Sequence, residues 1–257
     1  ALENHILVFQ PIDIKDDYEE IKKYHPDLIV TCAYGQIVPK EVLDIPRCGC
    51  INVHASLLPR YRGGAPIHYA LLNGDKETGI TIMYMDIGMD TGDMIDMMSI
   101  PIDDNDTLGT LSDKLSRLGA QLLEKVLPEI IAGTNQRIKQ NDEAASYAPT
   151  IKREEEHLDF RKSAQMIANK VRALNPYPLA NFMLNDEEVK VLEGYIGSDT
   201  HEEPGKICDI KKDAIGISCA DKIYYLTKIK PFGKKEMFVR DYLNGISKEK
   251  LKSSVVK

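Results

Sequence analysis

Apolar residues in the first half of the chain fall into short continuous runs separated by amphipathic segments. The runs have the length and the turn boundaries of buried strands, and they occupy residues 5–11, 27–33 and 50–56. The segments between and after them repeat apolar residues at helical spacing, which predicts helices at 14–26, 39–44 and 65–74. Strands that alternate with helices are typical of an α/β fold with a mostly parallel sheet.

The following segments predict a strand pair and a long helix. The strands are expected at 79–86 and 93–102, joined by a loop of glycines and aspartates. A helix region follows at 107–133 and ends at Gly133, because glycine readily adopts the left-handed conformation that closes many helices.

The pattern changes after Gly133. Residues 134–152 are polar and weakly periodic, which we interpret as a linker between a first domain at 1–133 and a second domain at 153–257. The second domain begins with a helix at 163–178, for which Ser163 is the expected N-cap. Four short strand-like runs with turn signals then predict a small antiparallel barrel; they lie at 188–197, 205–212, 214–220 and 222–232.

The composition is typical of a globular protein that is not associated with a membrane. The 257 residues are 43% hydrophobic and 28% charged, as in ordinary globular proteins. A run of 18 apolar residues and the basic head of a signal peptide are both absent from the sequence, so we expect no membrane association. The odd number of cysteines, five, fits reduced thiols and predicts a cytoplasmic protein. Cys48-Gly-Cys50 has no second Cys or His pair at ligand spacing, so we interpret it as two small strand residues and expect no metal site.

Charge is distributed unevenly between the two halves. Residues 1–150 carry 13 Lys and Arg against 23 Asp and Glu, whereas the region from 210 onward carries 12 against 5. A basic rear half can bind a polyanion such as a nucleic acid. A solvated, lysine-rich surface explains the same count equally well.

The strongest chemical signal is the stretch INVHASLLPRYRGGAP at 51–66. Asn52 and His54 stand two positions apart on a predicted strand, so their side chains share one face. They lie at the carboxyl end of that strand, where open α/β sheets bind ligands. An amide donor beside a group that titrates near neutral pH suits a reaction in which a carbonyl oxygen gains charge while a proton moves.

A short, rigid Ser-Leu-Leu-Pro segment and a basic turn follow His54. Arg60, Arg62, Gly63 and Gly64 precede a predicted helix. Exposed backbone amides and positive charge at a helix start favour an anion, so we expect an anion to bind there.

The loop MDIGMDTGD at 85–93 carries three aspartates and two glycines between two apolar strands. An aspartic protease would need a second Asp-Thr-Gly motif, and a calcium loop would need acids at alternate positions of a longer segment. We therefore expect one carboxylate of this loop to meet His54 and Asn52, where it can orient the imidazole and accept a proton.

Together these motifs resemble those of the methionyl-tRNA formyltransferase family. The resemblance covers AYGQIVPKEVLDIPRCGCINVHASLLPRYRGGAPI and GDKETGITIMYMDIGMDTGDM, then DTLGTLSDKL, SYAPTIKREE, HLDF, VRALNPYP and PFGKKEM. The Asn-x-His pair, the distant aspartate and Ser-Leu-Leu-Pro belong to the wider superfamily of formyltransferases that use 10-formyltetrahydrofolate. The second half narrows the resemblance to the enzymes that act on tRNA.

The resemblance implies roles for particular residues. Asn52, His54 and Asp90 match the catalytic trio. The positions expected to contact folate are Ser56, Leu57, Leu58, Pro59, Tyr34, Gly35, Gln36, Ile37, Asp86, Ile87, Gly88 and Met89. Lys206, Lys234 and Lys235 are the expected tRNA-binding positions, and no metal is implied.

The resemblance also implies a fold and a reaction. The fold is a Rossmann-like sheet of the formyltransferase type followed by an OB-like β-barrel. The reaction transfers a formyl group from 10-formyltetrahydrofolate to the amine of initiator methionyl-tRNA, for translation initiation. The expected partners are that tRNA and the folate co-substrate, and the expected protein is a cytoplasmic monomer.

Two alternatives stay open. One is another enzyme that uses the same folate, either formylating a small substrate or hydrolysing the formyl group; the basic tail and the extra barrel disfavour it. The other is a non-catalytic RNA-binding module, which the complete trio disfavours.

One part of the family pattern has no counterpart. The family begins some tens of residues earlier, with a strand, a Gly-Thr-Pro-x-Phe loop, a helix and a basic loop that contacts the tRNA acceptor end. We therefore expect a first domain that is incomplete at its N-terminal side.

Overall fold

The computed structural model describes residues 1–256, apart from the side chains of Lys248 and Lys250. The chain separates into two compact units, each assembled from more than one segment. Unit 1 consists of Ala1–Gly64, Gly79–Ser99 and Leu115–Ala148. Unit 2 consists of Ala65–Thr78, Ile100–Lys114 and the residues from Pro149 onward. The domain boundaries expected from the sequence stay a prediction.

The described residues form eight α-helices and ten strands. The helices are α1 (Ile14–Asp17), α2 (Glu19–Lys22), α3 (Lys40–Leu43), α4 (Pro66–Leu72), α5 (Leu108–Ala132), α6 (Ala164–Ala173), α7 (Val239–Leu243) and α8 (Lys248–Lys252). The strands are β1 (Ile29–Thr31), β2 (Cys50–His54), β3 (Glu77–Tyr84), β4 (Met94–Pro101), β5 (Ala180–Leu184), β6 (Glu187–Asp199), β7 (Ile207–Ile210), β8 (Ile215–Ser218), β9 (Lys222–Pro231) and β10 (Met237–Phe238). Within this part of the chain, no helix is both long and apolar enough to cross a membrane.

The first sheet has the order β1-β2-β3-β4. β1 and β2 are parallel, with Thr31 opposite Asn52. β2 and β3 are antiparallel, and His54 at the end of β2 pairs with Thr81. The predicted α/β class is thus confirmed, with mixed pairing directions in this sheet.

Helix α5 lies directly against this sheet. Its apolar residues recur every three or four positions and are buried: Leu115, Leu118, Leu122, Val126 and Ile130. A Cβ on Gly119 would lie 3.0 Å from Cγ1 of Val53, which is tighter than an ordinary contact. Glycine therefore permits this close approach of helix and strand, and the approach secures the middle of β2.

The second sheet, in unit 2, has the order β5-β6-β9-β8-β7, and β10 pairs with β9. Its pairings are antiparallel, which confirms the antiparallel second half. Closure of this sheet into a barrel stays a prediction. Helix α6 begins where the sequence predicted, because the Ser163 hydroxyl accepts a hydrogen bond from the amide of Met166 at 3.3 Å.

The predicted strand at 5–11 is wrong. These residues form no strand, and Ile6, Leu7 and Phe9 are exposed. The predicted burial of the second strand is also wrong, since Val30 in β1 is 40% exposed. Both errors have one cause: apolar content identifies a segment that can form a strand, whereas a strand forms only with hydrogen-bonding neighbours and is buried only if covered.

The cysteines are expected to differ in reactivity. Cys32 is exposed, whereas burial raises the pKa of Cys50 to about 11 and that of Cys219 to about 12. At pH of about 7.5, iodoacetamide should modify Cys32 at least about 100-fold faster than either buried thiol. A labelling time course followed by peptide mass spectrometry measures this ratio, and comparable rates at the three positions would contradict the fold described here.

Stability is expected to depend on His68 below neutral pH. Burial lowers the pKa of this half-buried imidazole below 6.5, so the unfolded chain binds a proton more readily than the folded chain. The free energy of unfolding therefore falls as pH drops through about 6.5 toward the folded-state pKa.

His68→Gln removes this titrating group. The loss of melting temperature between pH of about 8 and about 5.5 should be smaller in this variant than in the wild type. The same substitution at His201, which is exposed, is the matched control and should leave the wild-type difference in place.

Candidate active site

Strand β2 places two predicted site residues on one face of the first sheet. Asn52 and His54 alternate with Ile51 and Val53, and Ile51 is fully buried on the opposite face. His54 is the last residue of the strand and is 5% exposed. The period of two along a strand therefore determines which side of the sheet carries the polar pair.

The His54 ring lies between a backbone carbonyl and a carboxylate. Its Nε2 lies 3.0 Å from the carbonyl oxygen of Tyr61, and a carbonyl only accepts, so Nε2 carries the hydrogen. Its Nδ1 lies 3.6 Å from Oδ2 of Asp90, just beyond hydrogen-bond distance. Nδ1 is thus left to exchange a proton beside a carboxylate.

Asp90, the third member of the trio, lies in the loop between β3 and β4. Its Oδ2 accepts a hydrogen bond from the amide of Gly63 at 2.8 Å, and its Oδ1 lies 3.4 Å from Nδ2 of Asn52. The backbone of Asp90 has a φ of 53°, in the left-handed region that Asp tolerates better than most residues. The loop conformation therefore aims the carboxylate back at β2.

Thr31 orients the Asn52 amide. Its hydroxyl lies 3.1 Å from Oδ1 of Asn52, across the parallel β1–β2 pair. The same hydroxyl lies 3.2 Å from the carbonyl oxygen of Ile51 and 3.2 Å from Sδ of Met85. With the Thr31 hydroxyl beside Oδ1, the Nδ2 group of Asn52 faces Asp90. Thr31 was not among the site residues predicted from the sequence; the available signal was a threonine at the end of the strand parallel to β2.

The predicted folate segment at 56–59 forms a turn that Thr81 holds from the neighbouring strand. The Thr81 hydroxyl donates to the carbonyl oxygen of Ser56 at 2.7 Å and accepts from the amide of Leu58 at 3.1 Å. The Ser56 hydroxyl donates to the carbonyl oxygen of Arg60 at 2.6 Å. Ser56 and Leu58 are buried, whereas Leu57 and Pro59 are partly exposed. Thr81 was also missed at the sequence level, although a threonine within a buried strand was a signal.

The residues predicted as walls of the pterin pocket lie in two loops of unit 1. Four of their side chains are exposed and apolar: Tyr34, Ile37, Ile87 and Met89. Gln36 has a local structural role, since its Oε1 accepts from the amide of Ile14 at 2.8 Å. Gly35, Asp86 and Gly88 are exposed. A Cβ on Gly88 would lie 2.2 Å from Oγ1 of Thr91, so the tight loop requires glycine there.

The expectation of an anion at Arg62 is wrong. Its side chain is 2% exposed and donates to Oε1 of Gln140 at 3.0 and 2.7 Å and to Oδ1 of Asp142 at 2.8 Å. A buried guanidinium requires such acceptors, and here they engage its Nε and Nη2 groups from within the chain. Arg60, by contrast, is exposed.

The segment that supplies Gln140 also pairs with the site through its backbone. Ser146 accepts from the amide of Arg62 at 2.8 Å, and the amide of Ala148 donates back to Arg62 at 2.7 Å. Part of the segment interpreted as a linker, residues 146–148, is therefore hydrogen-bonded to the turn whose Gly63 amide donates to Asp90. The sequence offered only a weak signal for this attachment, because the segment is polar and lacks a clear period.

The predicted tRNA-binding lysines lie in unit 2. Lys206 pairs with Glu202, and this hydrogen bond raises the pKa of the lysine above its ordinary value. Lys234 and Lys235 are exposed in the connection between β9 and β10. The latter two present charge to solvent more freely than Lys206 does.

Two clefts lie in unit 1, and the second includes Asp86 and Ile87 from the predicted folate positions. One is formed around Ile6, Phe9 and Tyr24, and the other around Arg47, Tyr84 and Arg137. Neither cleft is lined by a residue of the trio. The evidence for the trio is therefore the short distances among Asn52, His54 and Asp90.

Comparison of the sequence with known proteins identifies the family to which the chain is similar. The Formyl transferase family matches residues 14–127, and the Formyl transferase C-terminal domain matches residues 150–247. The methionyl-tRNA formyltransferase of Bacillus subtilis (strain 168) is 46% identical over 249 residues, which cover 95% of this chain and 78% of that protein. That of Bacillus pumilus (strain SAFR-032) is 48% identical over 254 residues, covering 97% of this chain and 80% of that protein.

A solved structure extends the similarity to three dimensions. The N-formyltransferase from Helicobacter canadensis, in complex with folinic acid and dTDP-3-aminofucose, is 25% identical with a TM-score of 0.66. The match covers 88% of this chain and 80% of that chain. On these matches, the chain belongs to the formyl transferase family.

Proposed function

We propose that this chain transfers a formyl group from 10-formyltetrahydrofolate to the α-amine of methionine esterified to initiator tRNA. The Bacillus relatives are named for formyl transfer to methionyl-tRNA, and they are similar to this chain over nearly its whole length. The observation that carries the catalytic assignment is the convergence of the trio: Asn52 and Asp90 are 38 positions apart in sequence, yet Nδ2 and Oδ1 lie 3.4 Å apart.

The chain is a formyltransferase, so its site must polarise a carbonyl and move a proton. When bound, the folate supplies the formyl group, whose bond to the folate nitrogen breaks as the bond to the methionine nitrogen forms. Asn52 donates a hydrogen bond from Nδ2 to the formyl oxygen as negative charge develops there, and Thr31 keeps that amide oriented. Removing one such donor typically costs about 3 kcal/mol of transition-state stabilisation.

His54 and Asp90 handle the proton. Because Nε2 of His54 donates to the Tyr61 carbonyl, Nδ1 is the nitrogen that faces the reaction. With a proton on Nδ1, His54 donates a second hydrogen bond to the oxyanion, and Asp90 stabilises the imidazolium. Asp90 takes up the proton of the attacking amine, directly or through water, and this proton then passes to the leaving nitrogen.

In this proposal, residues in the loops near the trio bind the folate. The exposed side chains of Tyr34, Ile37, Ile87 and Met89 offer apolar surface for a flat ring, and Leu57 and Pro59 extend this surface beside the turn held by Thr81. The folinic acid in the Helicobacter canadensis enzyme supports a folate in this family; the 10-formyl form is part of the proposal.

Unit 2 supplies a basic surface for the tRNA. We assign Lys234 and Lys235 to phosphate binding, with a weaker role for Lys206 because it already pairs with Glu202. In this proposal the catalytic domain covers 1–133 and the tRNA-binding domain covers 153–257. The protein acts as a monomer in the cytoplasm.

Substitution of the trio tests the catalytic assignment. Asp90→Asn and His54→Ala should each lower kcat by about 100-fold or more, because each removes charge stabilisation or proton transfer. The dissociation constant for folate should change by less than about threefold, since neither side chain is assigned to folate binding. Steady-state formyl transfer and folate titration measure the two quantities.

The controls separate chemistry from folding. His201→Ala changes an exposed imidazole in unit 2 and should retain wild-type kcat. Each variant should show a single melting transition at the assay conditions. Near-normal turnover in folded Asp90→Asn or His54→Ala protein would rule out the assigned trio.

Salt dependence tests the assignment of the tRNA-binding lysines. A variant carrying both Lys234→Gln and Lys235→Gln should bind tRNA more weakly, and the slope of log K against log salt should fall by about 0.7 to 0.9 for each phosphate that is no longer neutralised. Lys206→Gln should have a smaller effect. Lys76→Gln is the control, because Lys76 is 85% exposed and lies outside the barrel segment. An unchanged slope in the double variant would exclude these two lysines from the interface.

A further inference from the structure

The side-chain amide of Gln140 bonds the loop that carries Asp90 at two points. Nε2 of Gln140 donates to the carbonyl oxygen of Asp90 at 2.8 Å and to the carbonyl oxygen of Gly92 at 2.8 Å. The two carbonyls flank the turn in which Asp90 adopts its φ of 53°. Since both amide hydrogens are used, one side chain fixes the loop on both sides of the turn.

Arg62 fixes which way that amide faces. Nε and Nη2 of Arg62 donate to Oε1 of Gln140 at 3.0 and 2.7 Å. Arginine has no acceptor, so the oxygen of Gln140 must face the guanidinium and the NH2 group must face the loop. Arg62 and Gln140 are 2% and 5% exposed, so water does not compete effectively for these donors and acceptors.

The segment that contains Arg62 also bonds the Asp90 carboxylate. Gly63, the residue after Arg62, donates its amide to Oδ2 of Asp90 at 2.8 Å. A Cβ on Gly63 would lie 2.8 Å from the carbonyl oxygen of Ala148, so the peptide after Arg62 has little freedom to shift. Asp90 is therefore held at its backbone through the Arg62 side chain and at its carboxylate through the adjacent peptide.

We infer that Gln140 and Arg62 are positioning residues that set the Asp90 carboxylate relative to His54 and Asn52. The inference rests on the proposed catalytic role of Asp90. The relevant distances, 3.6 Å to Nδ1 of His54 and 3.4 Å to Nδ2 of Asn52, lie at the limit of hydrogen-bond range. A small displacement of the turn at Asp90 therefore moves the carboxylate out of reach of both partners.

Gln140→Glu is the sharpest test. Glutamate has nearly the same shape and keeps an acceptor for Arg62, but it has no hydrogen to donate to the Asp90 and Gly92 carbonyls. We expect kcat to fall by about 10- to 100-fold, the effect of misplacing a catalytic group by about 1 Å, with KM for methionyl-tRNA within about threefold of wild type. A kcat within about twofold of wild type, or an effect confined to KM, would overturn the inference.

Matched variants exclude a general effect of charge or stability. Gln136→Glu makes the same chemical change at an exposed position of the same segment and should keep the wild-type kcat. Gln140→Asn keeps the amide on a shorter side chain and should give an intermediate kcat. All assays are made at least about 20 °C below the melting temperature of the variant. If Gln140→Glu fails to fold, Gln140→Asn decides: a wild-type kcat in that variant overturns the inference.

A double-mutant cycle identifies the group through which Gln140 acts. In single-turnover transfer, Gln140→Glu should change the residual rate of Asp90→Asn by less than about twofold, because its effect depends on a working carboxylate. Independent, multiplying effects would show that Gln140 acts elsewhere. Near-normal transfer by Asp90→Asn alone would refute the proposed role of Asp90, whereas a defective Asp90→Asn with a normal Gln140→Glu would refute only the positioning inference.

Discussion

The hydrogen bond from the Gly63 amide to the Asp90 carboxylate is the interaction on which the site depends. It draws the loop after β3 toward the turn after β2, and so places a negative charge beside His54 and Asn52. The Asp90 and His54 side chains are 17% and 5% exposed, and charges interact more strongly where water is largely excluded.

The site is assembled from short segments that each satisfy structural needs of the fold. Strand β2 aims Asn52 and His54 to one side, and Gly119 allows α5 to support that strand closely. Thr81 holds the turn at 56–58, and Thr31 holds the Asn52 amide. Each polar group is thus oriented by a neighbour on another element, which is how a folded chain maintains catalytic geometry before substrate arrives.

The sequence predicted helix ends and caps correctly, because these features depend on residues that are neighbours in the chain. Gly74 and Gly133, both with positive φ, follow helices at the predicted positions, and Ser163 caps α6. The same reasoning placed Asn52 and His54 on one face of a strand. It was wrong at 5–11 and overestimated the burial of β1, because pairing and coverage depend on segments distant in the chain. It also assigned Arg62 to an anion, since the acceptors that satisfy the guanidinium lie 78 and 80 positions away.

The sequence by itself determined the identity of the reactive groups and the side of the strand that carries them, because residue type and a period of two need no tertiary information. Tertiary structure decided how closely Asp90 approaches them, which way each amide faces, and how residues 138–148 join the site. Those outcomes depend on distances between atoms far apart in sequence, and such distances exist only once the chain has folded and excluded water from its polar groups.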